Sequence, residues 1–150
     1  MIRNVLFVCV GNLCRSPIAE ALLRRALPTL RVASAGTRAQ PGMPADPHAV
    51  AVMQSHDMDI SKHRAQRLNP SLCAAHDVVL VMDKVLKQYV LSCYPQLRGR
   101  VHTLAEESID DPYQQSYDAF AECYACIAEA VGAWQPRLHA LAQVSVRDVS

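Results

Sequence analysis

The chain has 150 residues, 51% of them hydrophobic, with 15 Lys plus Arg against 14 Asp plus Glu and a formal net charge of +1. That balance excludes a broad electrostatic footprint for nucleic acid or anionic membranes, so an anion must be bound locally. No apolar stretch approaches the roughly 18 residues of a membrane span, and the N-terminus lacks the features of a signal peptide. The expectation is therefore a cytoplasmic protein without membrane insertion, folded as one domain over residues 1–150. In chain order, apolar runs predict strands at residues 4–10, 30–33, 78–82 and 101–104. Between and after them, helical periodicity predicts helices at residues 17–26, 47–56, 84–93 and 117–141, with a shorter turn of helix at 69–75. Strands alternating with helices argue for a parallel sheet covered on both faces, a small doubly wound α/β fold. In such sheets ligands collect at the carboxyl ends of the strands.

The loop after the first strand carries the chemistry. Cys9, Arg15 and Ser16 stand at the spacing C-x5-R-S. Ser16 followed by Pro17 reads as an N-cap and a first-turn proline, which places the loop at a helix N-terminus. Backbone N–H groups from Val10 through Gly11, Asn12, Leu13 and Cys14 to Arg15 can converge there on an anion. The helix dipole adds partial positive charge, and Arg15 supplies a two-pronged donor for phosphate oxygens. Gly11 permits close backbone approach or positive φ, and Asn12 can hold a left-handed conformation. The same field favours a thiolate at Cys9. A nucleophile inside an anion cradle is the outline of a phosphate-ester hydrolase.

These residues resemble the signature of the low-molecular-weight protein tyrosine phosphatases, and the similarity runs through most of the chain. Beyond Cys9, Gly11, Asn12, Cys14, Arg15 and Ser16 it is carried by Ser34-Ala35-Gly36-Thr37, Asp46-Pro47, His63, the run VVLVMDK at 78–84, and Asp111-Pro112-Tyr113. The resemblance implies a four-stranded parallel sheet of order 2-1-3-4 flanked by helices on both faces. It implies Cys9 as nucleophile, forming a phosphocysteine intermediate, with Arg15 and the loop amides holding the phosphoryl oxygens. Asp111 becomes the general acid and then the base for the attacking water, and inorganic phosphate is the product. Ser16 donates to Cys9, Asn12 anchors the loop through Ser16, Ser34 and His63, and Tyr113 walls the entrance. Cys14 protects the nucleophile from oxidation by trapping it as a disulfide. Neither a metal nor another cofactor is implied.

Read alone, several of these residues have plainer roles. Asp110-Asp111-Pro112 is turn composition, Ser16 serves as a cap, Cys14 packs beneath the loop, and His63 is solvated. His48, His56, His76, His102 and His139 show no metal-ligand spacing and are expected at the surface. Cys123 and Cys126, three apart in a helix, are expected to pack rather than to serve redox or metal chemistry. The chain also departs from the animal members of the family. Gln114 stands where a second aromatic residue commonly follows the tyrosine, and Arg38, Ala39, Gln40 and Pro41 stand where a tryptophan or tyrosine often forms the opposite wall. Gln66-Arg67 likewise reverses the usual order. This pattern resembles the bacterial branch, which implies phosphotyrosine proteins as substrates, a bacterial tyrosine autokinase as partner, and control of capsule or exopolysaccharide export. Two other functions compete. An arsenate reductase on the same fold needs a relay of two further cysteines after the third strand, where this chain has only Cys93, with Cys73 before the strand, and it retains Asp111-Pro112-Tyr113. A catalytically silent phosphotyrosine-binding module is disfavoured by the intact Cys9, Arg15 and Asp111.

Overall fold

The computed structural model describes residues 1–149, with side chains through Gln143. Four parallel strands, β1 (Asn4–Cys9), β2 (Arg31–Gly36), β3 (Val78–Val81) and β4 (Val101–Thr103), form one sheet in the order β2-β1-β3-β4. β1 is central, and Val5, Leu6, Phe7 and Val8 are all fully buried. Successive strand residues point to opposite faces, so burial of all four means that both faces are covered. On these faces lie α1 (Arg15–Ala26), α2 (Pro47–Ser55), α3 (Pro70–Ala75), α4 (Lys84–Cys93) and α5 (Tyr117–Val149). α1 packs on β1, β2 and α5, α2 packs on α5, and α4 packs on β3 and β4.

Three helices begin as their sequences dictate. Asp46, Asn69 and Asp83 cap α2, α3 and α4 through their side-chain oxygens, which accept from the amides of His48, Leu72 and Leu86. α1 does not follow the expectation. It starts one residue before Ser16, with Cys14 at the cap position and no side-chain cap bond, because the Ser16 hydroxyl is turned toward Cys9 instead. β2 runs three residues beyond the predicted strand. Ser34, Ala35 and Gly36, too small and polar to read as apolar, pair with Phe7, Val8 and Cys9. α5 continues past residue 141 and through Pro136, whose missing N–H costs one ladder bond, while buried Leu138 keeps the following turn on the core. A short 3₁₀ turn at Pro95–Leu97, unforeseen, leads into β4. His76, expected at the surface, is buried, with Nδ1 bonded to the carbonyl of Leu72 at 2.6 Å. Burial, with Arg137 and Lys87 nearby, depresses the pKa of half-buried His102.

The functional loops gather at the carboxyl end of the sheet. Residues 10–14 join β1 to α1, residues 37–46 follow β2, and residues 104–116 follow β4. The last of these is tied to the neighbouring strand by Leu104 N–H donating to Val81 O and Ile109 N–H donating to Met82 O.

Candidate active site

Cys9, Val10, Gly11, Leu13, Cys14, Arg15, Asp111 and Tyr113 line one cleft of about 280 Å³ with Arg38, Gln40 and Met43. Residues a hundred positions apart in sequence meet because β3 sits beside β1 and carries β4 and its loop on its other side.

Cys9 ends the central strand and is 2% exposed. Its Sγ lies 2.8 Å from Ser16 Oγ and receives the Asn12 N–H at 3.2 Å. The direction of the hydrogen bonds around it follows from donor inventory. Asn12 Oδ1 accepts from the Gln66 amide at 2.9 Å, so its Nδ2 faces the serines and donates to Ser16 Oγ at 2.8 Å and to Ser34 Oγ at 2.9 Å. Ser34 spends its own proton on Glu20 Oε1 at 2.8 Å. Ser16 accepts from Asn12, which leaves its single proton free to be donated to the sulfur of Cys9. Asn12 reaches these partners only by adopting φ of 58°, in the left-handed region that asparagine tolerates. Asn12 is fully buried, and among the described residues no buried side-chain nitrogen or oxygen lacks a hydrogen-bond partner.

His63 meets Asn12, as the resemblance implies. Its Nε2 donates to the backbone carbonyl of Asn12 at 2.7 Å rather than to a side chain, a bond that fixes the tautomer. Of the two alternatives expected for Gly11, the left-handed one is not taken. A Cβ there would meet nothing of the protein nearer than 3.9 Å. The close approach belongs to Gly36, where a Cβ would stand 2.5 Å from Val10 O and 2.9 Å from Asn12 N. β2 thus presses on the loop from below, and only glycine fits.

Arg15 is buried, and its Nη1 donates to Ile109 O at 3.0 Å, while Nη2 faces Asp111 Oδ2 at 3.6 Å. Asp111 is 45% exposed on its side chain, so this pair is worth little in stability. It does hold the carboxyl beside the loop. Asp111 Oδ1 also accepts from Tyr113 N–H at 3.1 Å, and Pro112 is buried, so the turn is stiffened locally. Tyr113 is exposed at the mouth. The wall opposite it consists of Arg38, Gln40 and Met43.

Cys9 and Cys14 are the cysteines of the cleft, both buried and both free. Burial, reinforced by Asp46 and Asp111, pushes the Cys14 thiol far up. Cys73 and Cys93 do not line the cleft, so no relay of the kind a reductase uses reaches Cys9. In α5, Cys123 is buried and Cys126 exposed, and burial raises the Cys123 thiol to about 12. Among the described residues, no group of three or more His, Cys, Asp or Glu side chains could hold a metal ion, and no helix is long and apolar enough to cross a membrane.

Sequence reasoning missed Glu20, Gln66 and Met43. Glu20 and Gln66 act on the loop through Ser34 and Asn12 and carry no motif of their own. Glu20 also pairs with Arg24 at 3.2 Å one turn later, which is the i,i+4 signal of an ordinary surface helix pair.

Residues 4–144 match the model of the family described as low molecular weight phosphotyrosine protein phosphatase. The chain is 50% identical over 144 residues to a probable low molecular weight protein-tyrosine-phosphatase, EpsP, of Ralstonia nicotianae, covering 94% of this chain and 99% of that one. It is 40% identical to the low molecular weight protein-tyrosine-phosphatase Wzb of Salmonella typhimurium, covering 93% and 97%. Among solved structures, Vibrio vulnificus Wzb in complex with benzylphosphonate superposes with a TM-score of 0.88 at 36% identity, covering 91% of this chain and 99% of that one.

Proposed function

The chain belongs to the low molecular weight phosphotyrosine protein phosphatase family, and from that premise we propose that it hydrolyses phosphotyrosine in proteins through a phosphocysteine intermediate on Cys9. The observation that carries this reading is the sulfur of Cys9 between the Ser16 hydroxyl and the Asn12 amide, in a cleft shared with Arg15 and Asp111.

The Cys9 thiolate attacks phosphorus in line, and the bond to the phenolic oxygen breaks as the Asp111 carboxyl gives that oxygen its proton. Arg15 and the amides of residues 10–15 hold the equatorial oxygens throughout, supplying the charge stabilisation that dominates phosphoryl transfer. The Asp111 carboxylate then takes a proton from water as that water attacks phosphorus. The sulfur–phosphorus bond breaks, inorganic phosphate leaves, and the Ser16 hydroxyl receives the returning thiolate. No metal or other cofactor enters this sequence. The depth of Cys9 favours phosphotyrosine over phosphoserine, because only the longer side chain brings its ester to the sulfur.

For the biological setting, the reading rests on the resemblance to the bacterial branch of the family. A cytoplasmic single-domain enzyme acting on a bacterial tyrosine autokinase, and through it on capsule or exopolysaccharide export, fits its pattern of residues. The test is hydrolysis of para-nitrophenyl phosphate and of matched phosphotyrosine, phosphoserine and phosphothreonine peptides. Turnover unaffected by EDTA, abolished in Cys9→Ser and selective for phosphotyrosine is expected. Activity that EDTA removed and a divalent metal restored would overturn the mechanism.

A further inference from the structure

Among the described residues, eight large hydrophobic side chains are exposed, and five of them, Val10, Met43, Val85, Tyr89 and Tyr113, line either the cleft or a second hollow beside it. That second hollow, of about 320 Å³, is formed by Thr37, Asp83, Val85, Leu86 and Tyr89 together with Val10 and Arg38, and these last two also line the cleft. The two hollows are therefore contiguous. Apolar side chains gathered at one place on a surface mark an interaction site, whereas scattered ones mark nothing.

The second hollow is built by the first turns of α4. Asp83 is committed to capping that helix, and Leu86 is buried in the core. Val85 and Tyr89, four residues apart, lie one turn above the other on the same outer face. Val85 is 76% exposed, and a β-branched residue there has neither packing nor helix propensity to recommend it. Between this face and the cleft stands Arg38, whose side chain has neither a hydrogen bond nor an ion pair among the described residues.

Resting on the phosphatase reading above, we propose that this hollow is a substrate subsite. It takes an apolar side chain within about three residues of the phosphotyrosine, a reach of roughly 10 Å in extended chain, with Arg38 meeting an acidic residue of the same segment. The occupant is the segment flanking the phosphotyrosine because the hollow shares two of its residues with the cleft and opens beside it. The unpaired guanidinium at the junction complements a negatively charged peptide.

The experiment compares wild type with Val85→Ser/Tyr89→Ser on three substrates: para-nitrophenyl phosphate, a phosphotyrosine peptide with leucine and glutamate in the flanks, and the same peptide with glycine flanks. The double variant should lose about tenfold in kcat/KM on the leucine peptide, the size expected for part of an apolar side chain leaving water. It should match wild type on the other two. Equal kcat/KM of the two enzymes on the leucine peptide, or an equal loss on all three substrates, overturns the subsite. So does wild-type self-association in sedimentation that the double variant abolishes, which would give the surface to a second copy of the chain. If para-nitrophenyl phosphate is not hydrolysed at all, the phosphatase reading fails first. The subsite is then decided by fluorescence anisotropy of the labelled leucine peptide, where a tenfold weaker Kd in the double variant supports it and an unchanged Kd rejects it.

Discussion

Gly36→Ala is the sharpest test of how the anion loop is held, because the substituted position is outside the cleft and carries no chemistry. The new Cβ would sit 2.5 Å from Val10 O, 2.9 Å from Asn12 N and 3.0 Å from Ala39 Cβ, against about 3.4 Å for ordinary contact. Two of these three atoms belong to the backbone of the loop, which has no rotamer with which to move aside. Relief therefore requires the loop to shift by about 0.5–0.9 Å relative to β2. Displacement near 1 Å in a positioned site costs on the order of 10²-fold in rate, and overpacking costs about 1–3 kcal/mol in stability. For a chain of this size that corresponds to a fall in Tm of roughly 3–10 °C. Steady-state hydrolysis of para-nitrophenyl phosphate, with a thermal melt of the same preparation, measures both. Folded Gly36→Ala protein turning over within threefold of wild type would refute the claim that β2 sets the loop geometry.

Three further outcomes follow from the same geometry. Asp111→Asn should lower kcat on phosphotyrosine by about 10²–10⁴-fold and have much less effect on an aryl ester whose phenol leaves easily; equal losses on both would remove Asp111 from the acid role. After mild peroxide, wild type should recover in dithiothreitol and show a Cys9–Cys14 disulfide by mass spectrometry, whereas Cys14→Ser should recover poorly. Because burial raises the Cys14 pKa, its thiolate fraction at neutral pH is small and rises with pH, so disulfide formation should speed up about tenfold per pH unit between pH 6 and 9; a flat profile would count against Cys14 as the trapping thiol. Trp134→Phe deletes the bond from Nε1 to Leu104 O, 2.8 Å long, at the root of the acid loop. It should cost about 1–2 kcal/mol by denaturant titration and lower kcat on phosphotyrosine more than on the easily displaced phenol, a split that stability loss alone would not produce.

The strand-loop-helix carrying Cys9 was legible because each of its signals is local: an apolar run, a spacing, a cysteine and an arginine. The extent of β2 was not, because Ser34 and Gly36 are chosen for what they touch, a side-chain network and a backbone three segments away. Ser16 shows the same limit. A serine before a proline at a helix start is a capping signal by every local rule, yet the tertiary partner Cys9 takes the hydroxyl and the helix begins uncapped. Gly11 and Gly36 make the point as a pair, since the glycine inside the motif is unconstrained by the protein and the one outside it is sterically required. Of the cleft wall, Arg38 and Gln40 stand in the stretch the resemblance assigns to it, but that these two line it together with Met43 could not be read. It is defined by which loop faces Tyr113 across the sheet, a question of topology that composition does not address.

That topology also divides the site into two unequal halves. The proposed nucleophile, Cys9, is on the central strand, under a loop whose Asn12 side chain is tied to Ser16 and Ser34 and whose backbone touches β2, so its geometry is fixed before any substrate arrives. The proposed acid, Asp111, comes from a loop following an edge strand of three residues, held by backbone bonds to Val81 and Met82 and by the side chains of Trp134 at its root and Arg15 beside Asp111. Such an element lies near the low end of local stability. Arg15 is the link between the halves: the guanidinium that would grip the phosphate also holds the carbonyl of Ile109, two residues before Asp111. Gripping a phosphoryl group therefore fixes the cation on which the acid loop rests. Loss of Arg15 should for this reason exceed the loss of a phosphate contact alone, because it removes the support of the acid together with the anion's partner.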